Sequence, residues 1–522
     1  MARSLGMSLP SALLLAALLA LLWAVPIASP VALTRLQVRP CRSARPSRCQ
    51  RWRHPRMRVV AASSRGDGQA GGASAPDVDL GALQRRIASL RALEAAEWRE
   101  LWIEGAAPAA RLFHSLSSLG RGSRRLCLFG GVSAASGNML DDTWLLEMPS
   151  TPDQAARWRR VDTRGLRPPG RAHHDAVVVM ERWLIVHGGL LENGCRFDDT
   201  WRLDLDSEEP AWERLGLEAS PRPVPRYHHS LVATGAGKLL LFGGHNFARH
   251  ALNDAWVLDA GSASAEPADM EWRQLGGSFR PRPRAYHAAV VVGDWMLVLG
   301  GELQDRVGDA GIWALDLREE VWHRLQSERE GPEPDASEAP GLLGARGRMR
   351  HAACCLDEAG GAVAVCGGHG RTMEEPGPID CSVFWLEECG SDGASCRMRF
   401  EQRHGDSTAS LPSSGALRPR RDAALLAGLP SGHLVLFGGN DGRATDAFGD
   451  GYHQQGCEET LVADAAGLAA SGSGDWHLIS RGAPEVTSLG CAVAVSPGTA
   501  EVVVVDARPG GGTVRIHALS LR

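Results

Sequence analysis

Lysine is almost missing from this 522-residue chain, in which Lys238 stands against 55 arginines. That imbalance is a coding bias, and no mechanism is drawn from it. Cys-x-x-Cys is absent although there are 12 cysteines, which argues against a zinc site. Residues 1–66 hold no Asp or Glu. The apolar run at 12–25 has 14 residues, the length of a signal-peptide core and short of the ~20 that cross a bilayer. Helical periodicity is nearly absent as well. It shows only over 79–97, where Leu80, Leu83, Ile87, Leu90 and Leu93 recur at helical spacing and Asp79 can cap the start. With 61 Gly, 30 Pro and 22% charged residues, the chain can bury a large core and reads as all-β.

A repeat fills the space that helices leave. Its clearest copy spans 171–215, with four apolar runs at 176–180, 184–186, 201–205 and 212–215. Their length and their β-branched or aromatic content are those of strands. Gly188-Gly189 closes the second run, where the turn needs backbone angles that side chains forbid. Arg-x-x-His recurs at Arg111/His114, Arg171/His174, Arg226/His229, Arg284/His287 and Arg348/His351. Gly pairs recur at 130–131, 188–189, 243–244, 300–301, 367–368 and 438–439. Asp-x-Trp stands at Asp142/Trp144, Asp199/Trp201 and Asp254/Trp256, with Trp313 and Trp385 in the matching place later. Trp158, Trp212, Trp272, Trp322 and Trp476 each open a further short run. A four-stranded sheet of this kind leaves both faces uncovered and must stack on copies of itself.

In these motifs, from about Trp98 onward, the chain resembles the kelch-repeat β-propeller family, whose units repeat at about 50 residues with a Gly pair and a Trp each. Six full repeats are present. Residues 98–104 match a fourth strand without its first three, and 489–495, 501–506 and 513–519 read as three strands without a fourth. Joining them gives a kelch-type β-propeller of seven blades with no open edge. Six blades with stray ends is the alternative. The expected organisation is a targeting leader at 1–61, a Gly/Ala/Ser linker at 62–78, a short helix at 79–97 and the propeller at 98–522.

The leader has two parts. Behind the apolar run, residues 35–58 carry nine Arg with Ser and Pro and no acid, and 59–62 read Val-Val-Ala-Ala. A signal peptide followed by such a segment resembles the bipartite leader of proteins sent to plastids of secondary algae. Secretion with a basic pro-segment, or retention in the endomembrane system by a signal anchor, is the alternative. Removing residues 1–61 takes away ten Arg and moves the formal charge from −5 to −15. That balance argues against bulk nucleic-acid binding, and the mature chain reads as soluble with no membrane span.

Antiparallel connectivity places the start of each innermost strand on the same face as the loops between strands 2 and 3 and between successive blades. The longest insertions, 327–347, 403–419 and 440–459, fall there, and the first carries Glu328, Glu330, Glu333, Asp335 and Glu338. Arg111, Arg171, Arg226, Arg284, Arg348 and Arg420 open strand 1 at that face. The resemblance to kelch-type substrate adaptors of ubiquitin ligases implies that these arginines ring the channel mouth and bind an acidic segment of a protein partner, for which guanidinium forks are suited. The competing reading pairs each Arg with an acid of its own blade, such as the Asp of Asp-x-Trp, as a structural tie. No BTB or F-box segment is recognisable.

Catalytic, metal and cofactor residues are not assigned. The five repeat histidines stand in different blades, too far apart to share one ion. Only Tyr227, Tyr286 and Tyr452 are present, against the tyrosine-based copper centre of kelch oxidases. The iron motif of kelch nitrile-specifier proteins is missing, and Asp441, Asp446, Asp450 and His453 depart from a calcium loop. The fifth repeat holds Cys354, Cys355, Cys366, Cys381, Cys389 and Cys396. The first three fall in strands and read as buried thiols; Cys389 and Cys396 flank a turn and form a candidate disulfide. The expected function is a non-enzymatic protein-interaction module or scaffold. The alternatives are a kelch-fold enzyme of epimerase or lyase type acting on a sugar or small metabolite, and a carbohydrate-binding module.

Overall fold

The apolar runs read as strands in the repeats are strands in the computed structural model, where it describes them. It describes residues 96–520 apart from internal stretches, the longest of which are 326–342, 369–380, 390–396, 405–424, 439–459, 465–476 and 480–491. The segment read as a helix, 79–97, lies outside the described residues except at its end, where Glu97 already belongs to a strand.

Seven antiparallel four-stranded sheets follow one another. The first blade orders Ser115–Ser118, Arg125–Phe129, Thr143–Glu147 and Ala156–Arg160 from inside to outside. The second orders Asp175–Val179, Trp183–His187, Thr200–Asp204 and Trp212–Leu215, matching the four runs read from the sequence. Innermost strands of later blades are Ser230–Ala233, Ala288–Val292, Ala352–Asp357, Leu425–Gly428 and Ala492–Ser496. Each innermost strand touches that of the next blade, and the seventh touches the first, so the ring is closed.

Closure is made as the unpaired strands required. Glu97–Glu100 adds antiparallel to Arg515–Ser520, with Trp98 opposite Leu519. Trp98 is 2% exposed, and its Nε1 donates to Thr460 Oγ1 of the sixth blade at 2.7 Å. The same tie recurs three blades further round, where Trp272 Nε1 donates to Thr200 Oγ1 at 2.8 Å. The strand is shorter than 98–104. Ile103–Glu104 leaves it and pairs parallel with the outer strand of the first blade, binding last blade to first a second time.

Core side chains explain the stacking. Along Trp183–His187, Leu184 and Val186 pack toward the first blade while Trp183 and Ile185 pack toward the third. Period-two alternation therefore feeds two interfaces, and every residue of that strand is buried. The buried apolar residues form seven clusters, one between each pair of neighbouring blades. The Gly pair marks a close approach. A Cβ on Gly189, whose φ is +93°, would stand 2.8 Å from Ala172 O and 2.8 Å from His174 Cβ.

The fifth blade corrects one reading. Cys366 is disulfide-bonded and so is not a thiol; it stands opposite Cys381 in the strand register. Cys354 is a free thiol. Cys389 ends the strand Cys381–Cys389, and Cys396 lies outside the described residues.

Candidate functional site

The Arg that opens each Arg-x-x-His segment is buried, which overturns its assignment to a partner-binding ring. Arg111, Arg171, Arg226 and Arg284 are 0% exposed and Arg348 is 1% exposed. Arg111, Arg171 and Arg226 each close a two-pronged ion pair with the Asp of their own blade, Asp142, Asp199 and Asp254, at 2.6–3.0 Å. That same Asp accepts from its Trp: Trp144, Trp201 and Trp256 donate Nε1 at 2.6–2.7 Å. The guanidinium also donates to the carbonyl of the first Gly of the pair, as Arg171 Nη1 does to Gly188 O at 3.0 Å. In the fourth blade the acid has moved to Asp309, four residues before Trp313, and Arg284 Nη1 reaches it at 2.7 Å. Arg348 Nη1 donates to Gly367 O at 3.2 Å.

The backbone of these arginines grips the preceding blade. Arg171 N donates to Leu140 O, and Arg171 O accepts from Gly131 N. Arg171, Arg226, Arg284 and Arg348 thus each clamp two blades, with the main chain on one and the side chain on the other. Burial alone would raise the carboxyls of Asp142, Asp199 and Asp254, but the paired guanidinium and the Trp Nε1 donor outweigh it and hold them below the usual range. Arg420 lies outside the described residues.

The histidines of the motif are packing groups. His174 Nε2 lies 3.0 Å from Ser115 Oγ of the first blade, and His287 Nε2 lies 2.9 Å from Ser230 Oγ. His174 sits edge-on to Phe129, and His287 to Phe242. Burial, and then the neighbouring arginines, push His174 and His287 down to about 3. Asp175, next to His174, goes the other way. Burial raises it to about 7, although Leu231 N and Ala176 N both donate to it. Among the described residues, no three His, Cys, Asp or Glu converge as a metal set.

The third position of Arg-x-x-His was not singled out from the sequence. Phe113, His173, His228, Tyr286 and Arg350 fill it in five successive blades, all left-handed with φ between 51° and 55°. Non-glycine residues rarely adopt this conformation, and such strain concentrates at functional sites. Their side chains stack in sequence around the ring. Phe113 is 4.1 Å from His173, His173 is 4.6 Å from His228, and His228 is 4.1 Å from Tyr286. Arg350 then lies 4.4 Å over Tyr286. The only signal in the sequence was that this variable place holds planar groups each time.

Above this arc stand the loops between strands 2 and 3. Main-chain bridges pair them with the Arg-x-x-His segments, Ala172 with Leu190 and Tyr227 with His245, so both share one mouth. Arg196, Arg249 and Arg306 sit on the loops of the second, third and fourth blades. With Arg350 they act electrostatically on His245, which lies 5.6 Å from Tyr227 and 5.7 Å from Tyr286. Burial, then Arg249, Arg196, Arg350 and Arg306, hold His245 down at about 4. Elsewhere arginines find acids, as Arg157 finds Glu104 and Arg164 finds Glu209. Among the described residues no carboxylate pairs with Arg196, Arg249 or Arg306, and Asp305, beside Arg306, is turned toward Arg282.

Comparison with known proteins agrees with this architecture. The KLHDC2/KLHL20/DRC7 Kelch-repeats domain family matches residues 85–221 and 208–344. An F-box/kelch-repeat protein of Arabidopsis thaliana is 30% identical over 232 residues, 42% of this chain and 46% of that protein. Adagio protein 3 of Arabidopsis thaliana is 29% identical over 303 residues, 56% of this chain and 44% of that protein. The flagellar outer-arm dynein alpha chain of Chlamydomonas reinhardtii is 27% identical over 237 residues, 43% of this chain and 5% of that protein. The chain thus spans less than half the length of these relatives. With seven blades, the repeated Arg–Asp–Trp clamps and these matches in hand, the chain belongs to the kelch-repeat β-propeller family.

Proposed function

We propose that this propeller is a protein-interaction module that captures an acidic, extended segment of a protein partner at the mouth formed by the Arg-x-x-His segments and the loops between strands 2 and 3. The observation that carries the reading is the placing of Arg196 over Tyr227 and Arg350 over Tyr286, the two rings that flank His245, with Arg249 and Arg306 on the adjoining loops. Arg196, Arg249 and Arg306 pair with no carboxylate among the described residues; cations gathered in this way repel one another, and an incoming anion relieves that repulsion. The acid-binding role expected of the strand-opening arginines passes to these loop arginines, whose guanidinia are not consumed by blade clamps. The stacked arc beneath contributes imidazole and phenol groups, a chemistry that suits carboxylate and carbonyl oxygens.

The test is a charge-removal variant, Arg196→Gln with Arg249→Gln and Arg306→Gln, compared with the natural chain by proximity labelling in its own cells. Loss of a defined set of labelled proteins at an unchanged thermal midpoint supports the reading. An unchanged set overturns it.

Delivery is a separate proposal. The leader at 1–61 directs the chain to a plastid, a reading supported by its acid-free, Arg-rich segment behind a 14-residue apolar run.

A further inference from the structure

One part of this mouth lies off the axis and has a chemistry of its own. The Arg196 guanidinium is 5.1 Å from the Tyr227 ring and 5.1 Å from the Phe247 ring, so cation and aromatics share one patch. Arg196 Nη1 donates to Gly194 O at 2.7 Å, which fixes the fork. Phe247 is 75% exposed.

The turn that presents Phe247 is rigid. Asn246 N donates to His250 O at 3.0 Å, and Arg249 N donates to Asn246 O at 3.1 Å. Asn246 Oδ1 accepts from Ala248 N and His250 N at 3.0 and 3.1 Å. Ala251 N donates to Gln304 Oε1 at 2.7 Å, tying this loop to that of the fourth blade. An exposed aromatic ring is thus held in place beside Arg249, with Arg306 on the neighbouring loop. Little ordering remains to be done when a ligand arrives, which favours binding.

We infer that the partner segment carries a large apolar or aromatic residue flanked by acidic residues, the apolar side chain covering Phe247 and Arg196 while the acids reach Arg249 and Arg306. The occupant is a stretch of a protein partner, and charge complementarity argues for it: the arginines beside Phe247 lack carboxylates among the described residues. A purely acidic stretch would leave the ring uncovered, and a purely apolar one would bury guanidinia without counter-charge. This inference rests on the acidic-segment reading and adds the apolar anchor and its place over the second and third blades.

The experiment selects a phage-displayed random dodecamer library on the full chain and, in parallel, on Phe247→Ala and on the triple Arg→Gln variant. Phe247 is exposed, so its truncation leaves the core untouched, and equal thermal midpoints confirm that. Selected peptides are expected to place an aromatic or large aliphatic residue between acids. Replacing that residue by Gly should weaken binding about tenfold to the natural chain and leave binding to Phe247→Ala unchanged. Acidic peptides without an apolar residue, or equal affinity of the two peptides for the natural chain, overturn the anchor while leaving the charge reading standing. Selection of peptides without acids, undiminished by the triple variant, overturns both.

Discussion

Arg171 and Asp199 meet through two parallel contacts, Nη1 to Oδ1 at 2.7 Å and Nη2 to Oδ2 at 3.0 Å, with the guanidinium shut off from solvent. The pair lies within one blade, yet the Arg171 main chain is bonded to the blade before it. Losing one partner therefore leaves a buried charge and loosens an interface together. Arg171→Met is expected to cost about 3–5 kcal/mol in urea unfolding, and Asp199→Leu added to it should recover part of that loss. Arg226→Ala with Arg284→Ala should likewise lower the thermal midpoint sharply, as measured by calorimetry.

Trp98 holds the ring shut from its outermost strand. Trp98→Ala empties a site packed against Phe437 at 5.2 Å and removes the donor to Thr460. A loss of about 3–5 kcal/mol is expected. An exposed strand edge at Arg515–Ser520 should follow, read as faster hydrogen exchange there and as association in light scattering.

Acid should unfold this propeller early. His174, His287 and His351 are held at about 3 when folded and return to about 6.5 when unfolded. The unfolded chain then binds more protons between those values, so stability is full above about pH 6.5 and falls as pH drops toward 3. Each histidine contributes about 1.4 kcal/mol per pH unit inside that window. Asp175 works in the opposite sense. Its folded value of about 7 lies above the unfolded carboxylate range, so its contribution is lost as pH rises from about 4 through 7. Asp175→Ser, the residue of Ser115 and Ser230 at the equivalent places, should steepen the fall in urea midpoint between pH 7 and 4.

The leader can be read directly in cells. Residues 1–65 fused to a fluorescent reporter should bring it into the plastid of an alga with a secondary plastid. Retention of the reporter in the secretory pathway would reject the plastid reading.

Blade-building residues were legible because they recur with every turn of the ring. Gly188-Gly189, Trp201 and the runs between them made the sheet visible, and an orphan fourth strand at Trp98 announced the closure. The fate of Arg171 was not legible. An Arg at the start of an inner strand looks the same whether it faces the channel or folds back, and the choice lies with Asp199, 28 residues on. Asp309 shows the same limit, since it serves Arg284 from a place where no Asp-x-Trp stands. The stacked arc through His173, His228 and Tyr286 was hidden for another reason. Its members are dissimilar residues, and only a shared left-handed backbone brings their rings together.

The way the ring is fastened also makes it mechanically directional. Glu97 lies opposite Ser520, so the two paired strands have their outer ends side by side. Tension between anything attached before Glu97 and after Ser520 would open the ladder one bond at a time, like a zipper, and would not load all its bonds in shear. The seventh blade is then the part that yields first under force, while the mouth over the second to fifth blades, where the partner is expected to sit, stays assembled longest.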